Sequence, residues 1–317
     1  MTGYIISSSG VETELPPFLS WDVCHGLGEP CDWFEVSFIY YSHQLSKLQS
    51  ACRFRAEHNG ATVFTGVVDE YSISIDDHGS VVTVSGRSPA ALLLDNELPA
   101  ASYAALSSES LISNFITPYG VSQVVSGESK SLGSFSVSTG ESAWSAVKRF
   151  SRYAWGTTPF FTPEGALILN GRQGSSVAID ADNDAHAIKL RDERYGIISD
   201  VRVKNRVTGA SYTVSNEDFI ARGGKSHREL TVPKTTGADA ARYTAEYQIA
   251  ESERGKHLIE LTITKQFACF PGDIIELSST ALGVSGSYRV SSSHCWADSF
   301  SAGTIVTLEV QPCGCLR

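Results

Sequence analysis

The sequence predicts a mainly β protein in which two β modules flank one α+β module. Three observations predict it: apolar residues alternate at period two in both end regions, residues with helical spacing occur between them, and turn residues separate the segments. The length of 317 residues also exceeds that of the usual single domain. A hydrophobic content of 42% with 19% charged residues is typical of a packed chain.

The first module begins with alternating segments. Phe34, Val36 and Phe38 fall on one face of a strand at residues 33–40, and another alternating segment precedes it at residues 18–24. Two further strands are predicted at residues 62–69 and 80–86, and the link between them contains Asp76-Asp77-His78-Gly79, whose Asp and Gly residues favour a turn. We expect an antiparallel meander up to Gly86 that curls into a barrel.

Helical signals mark the middle module. Ser88 is expected to cap a short helix with Pro89 at its first position, where the missing N–H costs nothing. Further predicted elements are a helix over residues 109–116, a helix that starts near residue 140, carries a buried stripe and ends at Gly156, and a hairpin over residues 159–169. The stripe comprises Trp144, Val147, Phe150 and Ala154.

The last third returns to β structure. The predicted elements, in chain order, are strands at 198–203 and 210–214, a loop from Phe219 to Lys234, an exposed charged helix over 238–255, and strands at 257–263, 274–277, 287–290 and 304–310.

The charge balance excludes some partners. The formal net charge is −10, so the surface repels phosphate backbones and anionic lipid, and we predict neither stable nucleic-acid binding nor membrane insertion. No apolar run of about 20 residues occurs, and the N-terminus shows no signal peptide. We therefore expect a chain that is made and folded in a cytoplasm.

Motifs for catalysis and metal binding fail on their spacing. Asp180-Ala181-Asp182-Asn183-Asp184 starts like a calcium loop, but Ala185 stands where Gly is needed and Arg191 where Glu is needed, so a solvated acidic loop between domains is expected. The polar segment 127–131 lacks the glycine spacing of a phosphate loop. No residue is predicted to be catalytic. One basic cluster, Arg222, Lys225, His227, Arg228 and Lys234, is interpreted as a contact surface for a partner protein or as a solvated loop.

The seven cysteines leave three alternatives open. Buried reduced thiols suit Cys52 and Cys269. A zinc or iron–sulfur site would need four cysteines to converge without any C-x-x-C pair: Cys269, Cys295, Cys313 and Cys315. Disulfides between neighbouring subunits would explain the odd number, with Cys24, Cys31, Cys313 and Cys315 as candidates.

The pattern as a whole resembles the baseplate or tail-tip hub proteins of tailed bacteriophages, above all the Mu-type baseplate hub and the late-control D-type tail protein. The resemblance begins with Phe64-Thr65-Gly66-Val67-Val68-Asp69 and Val82-Thr83-Val84-Ser85-Gly86-Arg87-Ser88. Later landmarks follow in the family's order at residues 141–147, 162–167, 270–275 and 286–290. Their shared order, over nearly the whole chain, carries the resemblance.

The resemblance implies two tube-like antiparallel β-barrel domains, at residues 1–88 and 186–317, which flank a middle α+β domain at 89–185, the second barrel containing an inserted helix. It implies a homotrimer whose six barrels surround an axis and adapt a hexameric tail tube to a central spike, leaving a DNA conduit. The implied partners are the tail tube, spike, tape measure and other baseplate proteins of a virion assembled in the host cytoplasm. The family supplies no catalytic residues, no cofactor and no explanation of the cysteines.

Two other function classes stay open. A cell-wall glycan hydrolase would use a pair of Asp or Glu side chains on a β scaffold. A glycan-binding β module is suggested by the five Trp and twelve Tyr residues, although aromatic residues in β proteins usually belong to the core. The net charge further suggests an acidic lining for a DNA conduit, since like charges repel within a Debye length.

Overall fold

The computed structural model describes residues 1–27, 32–77, 79–171, 174–205, 209–232 and 238–309. Its contacts divide the chain into two compact units. The first contains residues 1–187 and 261–308, and the second contains residues 188–260 with Glu309. The predicted fold class, mainly β with an α+β section, is confirmed. No helix among the described residues is long and apolar enough to cross a bilayer.

Seven strands build the first part of the larger unit, and one helix, α1 (Leu45–Ser50), connects two of them. The strands are β1 (Thr2–Ser7), β2 (Glu12–Glu14), β3 (Phe18–Gly26), β4 (Trp33–Ile39), β5 (Ala51–His58), β6 (Ala61–Asp76) and β7 (Gly79–Arg87). They pair in the antiparallel order β3-β4-β7-β6-β5-β1-β2. The simple meander predicted from the sequence is wrong, because a 3-10 turn and α1 replace a tight hairpin after β4 and leave β4 to pair with β7.

Three phenylalanines form the centre of this sheet's core. The rings of Phe34 and Phe54 stack at 3.9 Å between centroids, and the ring of Phe64 lies 5.2 Å from that of Phe34. Phe34 pairs across the strands with Gly86, and Phe54 pairs with Gly66. The ring of Phe34 lies against Gly86 and the ring of Phe64 lies against Gly66, the two glycines of the segments that carry the family resemblance.

Close backbone approach explains why Gly86 and Gly66 are glycines. A Cβ on Gly86 would lie 1.9 Å from the carbonyl oxygen of Val67 and 2.8 Å from the ring of Phe34. A Cβ on Gly66 would lie 2.2 Å from the carbonyl oxygen of Arg87. Since backbone cannot move aside as a flexible side chain can, both sites exclude a side chain.

We expect Gly86→Ala to lower the free energy of unfolding by about 1–3 kcal/mol or more, because the added methyl group overpacks the β6–β7 crossing. The measurement is a urea unfolding titration. Gly133→Ala is the matched control, since nothing lies within 4 Å of a Cβ at that position, and its unfolding free energy should change by less than about 1 kcal/mol. Equal effects of the two substitutions would contradict the steric account.

The middle section has a hydrophobic core of its own, made from residues between Ala90 and Leu169. Its helices are α2 (Ala90–Leu94), α3 (Ser108–Leu111, which continues as a π-helix and a 3-10 turn to Tyr119) and α4 (Ala143–Trp155). Its strands are β8 (Ala101–Ser107), β9 (Val124–Val125), β10 (Ser131–Val137), β11 (Phe160–Phe161) and β12 (Leu167–Ile168).

Most local predictions for this section are confirmed. In α4, Trp144, Val147 and Phe150 are buried as the predicted stripe requires, and Gly156 ends the helix in the left-handed conformation. The predicted hairpin forms between β11 and β12. The cap predicted at Ser88 is wrong, because its hydroxyl is buried without a hydrogen-bond partner and Pro89 occupies the cap position.

Arg87 joins the first sheet to α2. Its guanidinium donates to both carboxylate oxygens of Asp69, at 2.6 and 2.9 Å, and to those of Asp95 after α2, at 2.8 and 3.1 Å. The hydrogen bond to Arg87 is the main reason that the pKa of Asp95 is lowered. Planar bidentate pairing fixes orientation, so this contact orders the chain where β structure gives way to helix.

Strands from the last part of the chain continue the first sheet, and β14 and β18 among them contain residues of both units. The elements of this part of the chain are β13 (Ser176–Asp180), α5 (Ala181–Asp184), β14 (Ala185–Asp192), β18 (His257–Ile263), β19 (Ile274–Ser279), β20 (Val284–Ala297) and β21 (Ala302–Glu309). The hydrogen-bonded order runs β18-β21-β20-β3, and β20 also pairs with β19, which pairs in parallel with β13. In the β20–β3 pair, Cys295 lies opposite Val23. The two β parts that are separate in sequence therefore share one continuous sheet.

The smaller unit packs one helix on a three-stranded sheet. Its elements are β15 (Asp200–Asn205), β16 (Ser211–Ser215), α6 (Glu217–Ala221), β17 (His227–Val232) and α7 (Ala238–Glu253). The strand order is β16-β15-β17, with β15 antiparallel to β16 and parallel to β17. Val201 and Val203 share a core with Ala245 and Ile249 of α7.

Two predictions for this segment need correction. The loop expected at Phe219–Lys234 is wrong, because residues within it form part of α6 and all of β17. The helix expected as exposed does form, as α7, but its Ala245 and Ile249 are buried. The division of the chain at 1–88, 89–185 and 186–317 stays a prediction, although residues 188–260 form a compact unit that is larger than one inserted helix.

Candidate interaction surfaces

The acidic segment at residues 180–184 serves the fold. It forms α5, a single helical turn between β13 and β14 rather than the expected loop, while Asp182, Asn183 and Asp184 are exposed to solvent as expected. Asp182 accepts hydrogen bonds from the Ser279 hydroxyl at 2.9 Å and from the Thr280 backbone N–H at 2.7 Å, and also from the Thr280 hydroxyl. These bonds, those from Thr280 above all, lower the pKa of Asp182. Its carboxylate therefore connects α5 to the C-terminal end of β19.

Arg222 and Lys225 of the basic cluster lie in the connection between α6 and β17, and His227 and Arg228 lie on β17. Acidic or polar side chains accept hydrogen bonds from part of the cluster. His227 bonds through Nδ1 to Asp200, and this bond is the main reason that the pKa of His227 is raised. Arg228 donates to Gln248 at 2.9 Å. Lys234 lies outside the described residues. Asp200 therefore offsets the charge of a protonated His227, whereas the neutral Gln248 leaves the charge of Arg228 in place.

Two of the cysteines are buried in the larger unit. The Cys295 thiol makes a 3.2 Å hydrogen bond with the Thr304 hydroxyl and accepts from the Phe267 backbone N–H at 3.3 Å. Burial, with lesser contributions from Asp273 and Cys295, raises the pKa of Cys269 to about 12. Burial also raises the pKa of Cys295. Both side chains therefore persist as neutral thiols and pack as small apolar groups.

The remaining cysteines do not converge in the part of the chain that the structure describes. Cys24 and Cys52 are partly exposed, so the burial expected of Cys52 is wrong. Cys31, Cys313 and Cys315 lie outside the described residues. Among the described residues, no group of three His, Cys, Asp or Glu side chains is arranged to hold a metal ion. The zinc or iron–sulfur site and the inter-subunit disulfides stay predictions.

Cysteine accessibility gives a direct test of these placements. Under native conditions at about pH 8, we expect Cys24 and Cys52 to react with iodoacetamide at least about tenfold faster than Cys269 and Cys295, whose thiolates are scarce and shielded. Peptide mass spectrometry after timed quenching assigns the rates. Alkylation in denaturant supplies the control, in which the four rates should converge. Fast native labelling of Cys269 would contradict the burial.

An aromatic cluster lies on the outward face of the sheet where β4, β3 and β20 meet. The imidazole ring of His294 lies 5.8 Å from Trp33 and 5.8 Å from Trp296, measured between ring centroids. His294 bonds through Nε2 to Asp22 at 2.5 Å, and Glu35 lies opposite Asp22 in the β3–β4 register. This outward cluster of aromatic rings beside carboxylates offers both stacking and hydrogen-bonding groups to a ligand.

The surroundings of two side chains were not predicted from the sequence. Phe300, in the turn between β20 and β21, has 97% of its surface exposed. His25 is buried on the inward face of β3, with its ring between those of Phe64 and Phe270. Each had a usable signal: Phe300 follows Asp298 in a short turn between two strands, and His25 continues the alternation of Trp21 and Val23.

No protein-family model matches the chain, and a search of curated proteins finds no significant match. Solved structures do match it. A 43 kDa tail protein of prophage MuSo2 from Shewanella oneidensis is 14% identical, with 97% of this chain and 98% of that chain aligned at a TM-score of 0.80. A tail protein of Neisseria meningitidis MC58 is also 14% identical, with 96% and 95% aligned at 0.77.

The fold is that of phage tail proteins. Prophage tail protein gp18 from Listeria monocytogenes EGD-e shares this tail-protein fold at 10% identity, with 99% of this chain and 96% of that chain aligned at a TM-score of 0.61. The resemblance drawn from the sequence is thereby confirmed at the level of the fold. Since nearly the full length of each chain aligns, the tail-protein fold includes both compact units.

Proposed function

We propose that the chain is a structural, non-enzymatic protein of a phage tail baseplate or tail tip. One observation carries the proposal: nearly all of the chain aligns with nearly all of two phage tail proteins. A protein that shares only one domain with tail proteins would leave much of one partner unaligned. Fold alone does not fix function, so the shared length and the shared order of the sequence landmarks both support the role.

In the finer form of the proposal, the chain forms a homotrimer at the distal end of the tail tube. Two β modules in each of three copies give six similar modules around one axis, which suits a joint between a hexameric tube and a central spike. The tail tube, spike, tape measure and other baseplate proteins are its proposed partners. The assembled particle is its proposed location, after folding in the host cytoplasm.

The DNA conduit of such a trimer should not hold the DNA that passes. The net charge of −10 supports this, because a negative lining repels phosphates at short range. A basic lumen in a resolved trimer would contradict this part of the proposal.

Deletion of the gene tests the proposed structural role in the baseplate or tail tip. We expect an in-frame deletion of its gene to yield particles or precursors without a complete baseplate or tip in negative-stain electron microscopy, and the wild-type gene in trans to restore them. Mutant particles with complete tails and normal DNA delivery would overturn the proposal. A matched point variant, Gly133→Ala, should complement fully.

Glycan binding is the second candidate, and the outward aromatic cluster favours it. Trp296 lies opposite Asp22 in the β20–β3 register, and Asp22 lies opposite Glu35, two residues after Trp33 on β4. Aromatic rings beside carboxylates can stack on a sugar ring and accept from its hydroxyl groups. Titration with soluble cell-wall fragments, followed by tryptophan fluorescence, tests it. Saturable binding that Trp33→Ala abolishes would support a glycan module, and an unchanged spectrum would exclude it.

The outward aromatic cluster also contains the two carboxyl groups that a hydrolase at this surface would use. A glycosidase needs two carboxyl groups that flank the bond to be cleaved, and Asp22 and Glu35 are directly opposed across two strands. We expect purified protein to release no reducing ends from cell-wall glycan. Turnover that Asp22→Asn or Glu35→Gln removes would replace the structural role with an enzymatic one.

A further inference from the structure

A loop between β18 and β19 covers part of the inward face of the first sheet. It comprises residues 264–271, and its Phe267 and Phe270 pack against the core of that sheet. The Phe267 ring stacks on Trp21 at 5.3 Å between centroids, and Cys269, between the two phenylalanines, is 1% exposed. Movement of this loop away from the sheet would therefore uncover two aromatic rings and a thiol.

Each phenylalanine of the loop lies against a histidine. The Phe270 ring meets the ring of His25 edge-on at 5.3 Å, and the Phe267 ring lies 5.4 Å from that of His58. His25 is 2% exposed, and no described residue makes a hydrogen bond of normal geometry to either of its ring nitrogens. Its ring also contacts Phe64 of β6, a strand that pairs with β5 on one side and β7 on the other. The loop is therefore the side that can open to water without breaking the sheet.

The loop is fastened weakly to the strands beneath it. The Phe267 backbone N–H donates to the Cys295 thiol at 3.3 Å, and a thiol sulfur is a weak acceptor. The Thr304 hydroxyl donates to the Lys265 carbonyl at 2.9 Å. Phe267 also has a φ of 50°, a left-handed conformation that is unfavourable for a bulky residue. Segments held in this way open locally at a smaller cost than the strands around them.

We propose that residues 264–271 form an acid-triggered latch, which opens when His25 takes up a proton and thereby exposes Phe267, Cys269 and Phe270. A charged imidazole without a hydrogen-bond partner is unfavourable between two phenyl rings, because an unpaired charge is costly to bury. Opening of the latch brings the ring into water, where it can carry the charge. The inference goes beyond the proposed structural role and does not rest on it.

The other titratable groups on the elements around His25 support this direction or leave it unchanged. They are Asp32, His58, Cys269, Asp273 and Cys295. Burial raises the pKa of Asp32 to about 7 and also raises the pKa values of both cysteines, so these groups stay neutral in acid. Burial lowers the pKa of His58, so a proton on His58 adds to the opening. The Asp273 carboxylate is already occupied by the backbone N–H groups of Ser175 and Phe270, at 2.9 Å each.

Labelling of Cys269 in the full chain reports the opening. The probe is 4,4′-dithiodipyridine, which reacts with thiols in acid, and peptide mass spectrometry gives the labelling rate of Cys269 relative to that of the partly exposed Cys52. We expect this ratio to rise about 30-fold between about pH 7.5 and about pH 5, because the pKa of His25 is about 4 when buried and 6.5 in water. His25→Phe should remove most of the rise. His186→Gln, at an exposed position, should keep it.

The dependence of the labelling on urea separates opening of the latch from global unfolding. In the parent chain, about 0–1 M urea should leave the ratio nearly unchanged at pH 5, since local opening exposes little surface. A ratio that rises steeply with urea would show that Cys269 reacts through global unfolding, and it would overturn the latch without any variant. A ratio that does not depend on pH, or a full rise that persists in His25→Phe, would overturn the role of His25. Cooperative urea transitions at pH 7.5 will show that the variants fold.

Discussion

Phe34→Ala is expected to lower the free energy of unfolding by about 3–5 kcal/mol. Phe34 is 1% exposed, and its ring stacks on Phe54 at 3.9 Å and packs beside Phe64. Removal of the ring therefore leaves a cavity at the centre of the first sheet, and it also uncovers the Gly86 backbone that the ring protects. A core this rigid cannot collapse fully into the space.

Urea unfolding followed by tryptophan fluorescence measures this effect. Phe300→Ala is the matched control, because it removes the same side chain from a site that is 97% exposed. The control should change the free energy of unfolding by less than about 0.5 kcal/mol. A Phe34→Ala variant as stable as the control would show that the first sheet does not pack around this aromatic cluster.

His25→Phe is expected to make the protein progressively more stable than the parent as the pH falls from about 6.5 to about 4. Burial lowers the pKa of His25 from 6.5 to about 4, although the backbone of Val63 partly favours the charged form. The unfolded chain therefore binds a proton in this window that the folded chain refuses, and folding loses free energy as the pH falls. The full difference corresponds to about 3 kcal/mol.

A second buried group, Asp32, also makes stability depend on pH. Comparing the variant with the parent separates the contribution of His25 from that of Asp32. Burial raises the pKa of Asp32 to about 7, against a hydrogen bond from the Gly26 backbone that lowers it. The raised pKa of Asp32 changes stability in the direction opposite to that of His25. The folded chain holds a proton on Asp32 that the unfolded chain has lost, so this contribution to the free energy of unfolding disappears as the pH rises toward 7. Parent and variant share Asp32, so its effect cancels in the difference.

Urea midpoints at about pH 7.5 and about pH 4.5 supply the measurement. At the higher pH, His25→Phe should lie within about 3 kcal/mol of the parent, since Phe keeps an aromatic ring between two aromatic neighbours but is larger than His. At the lower pH, the variant should gain most of the expected 3 kcal/mol relative to the parent. His186→Gln, at an exposed position, is the control. A pH-independent difference would show that the His25 side chain is solvated.

Local chemistry made the middle section predictable. The buried stripe of α4 and its end at Gly156 follow from side-chain spacing and from the conformational freedom of glycine, both of which depend only on nearby residues. The same holds for the β11–β12 hairpin, which the Pro163-Glu164-Gly165 turn favours.

Long-range pairing could not be predicted in this way. Nothing near β4 in the sequence indicates that it pairs with β7, and nothing near β20 indicates that it pairs with β3, because antiparallel partners are selected by the whole sheet. The parallel strand β17 was missed for a related reason: its exposed polar residues hide the strand, and its partner β15 precedes it by two elements. The candidate interaction surfaces depend on such pairing, so only the tertiary structure shows them.

Cryo-electron microscopy of the intact particle would locate this chain within the virion. We expect three copies of this chain around the tail axis at the distal end of the tube. The chain's absence from the particle, or a position away from the tube end, would contradict the structural role proposed for it.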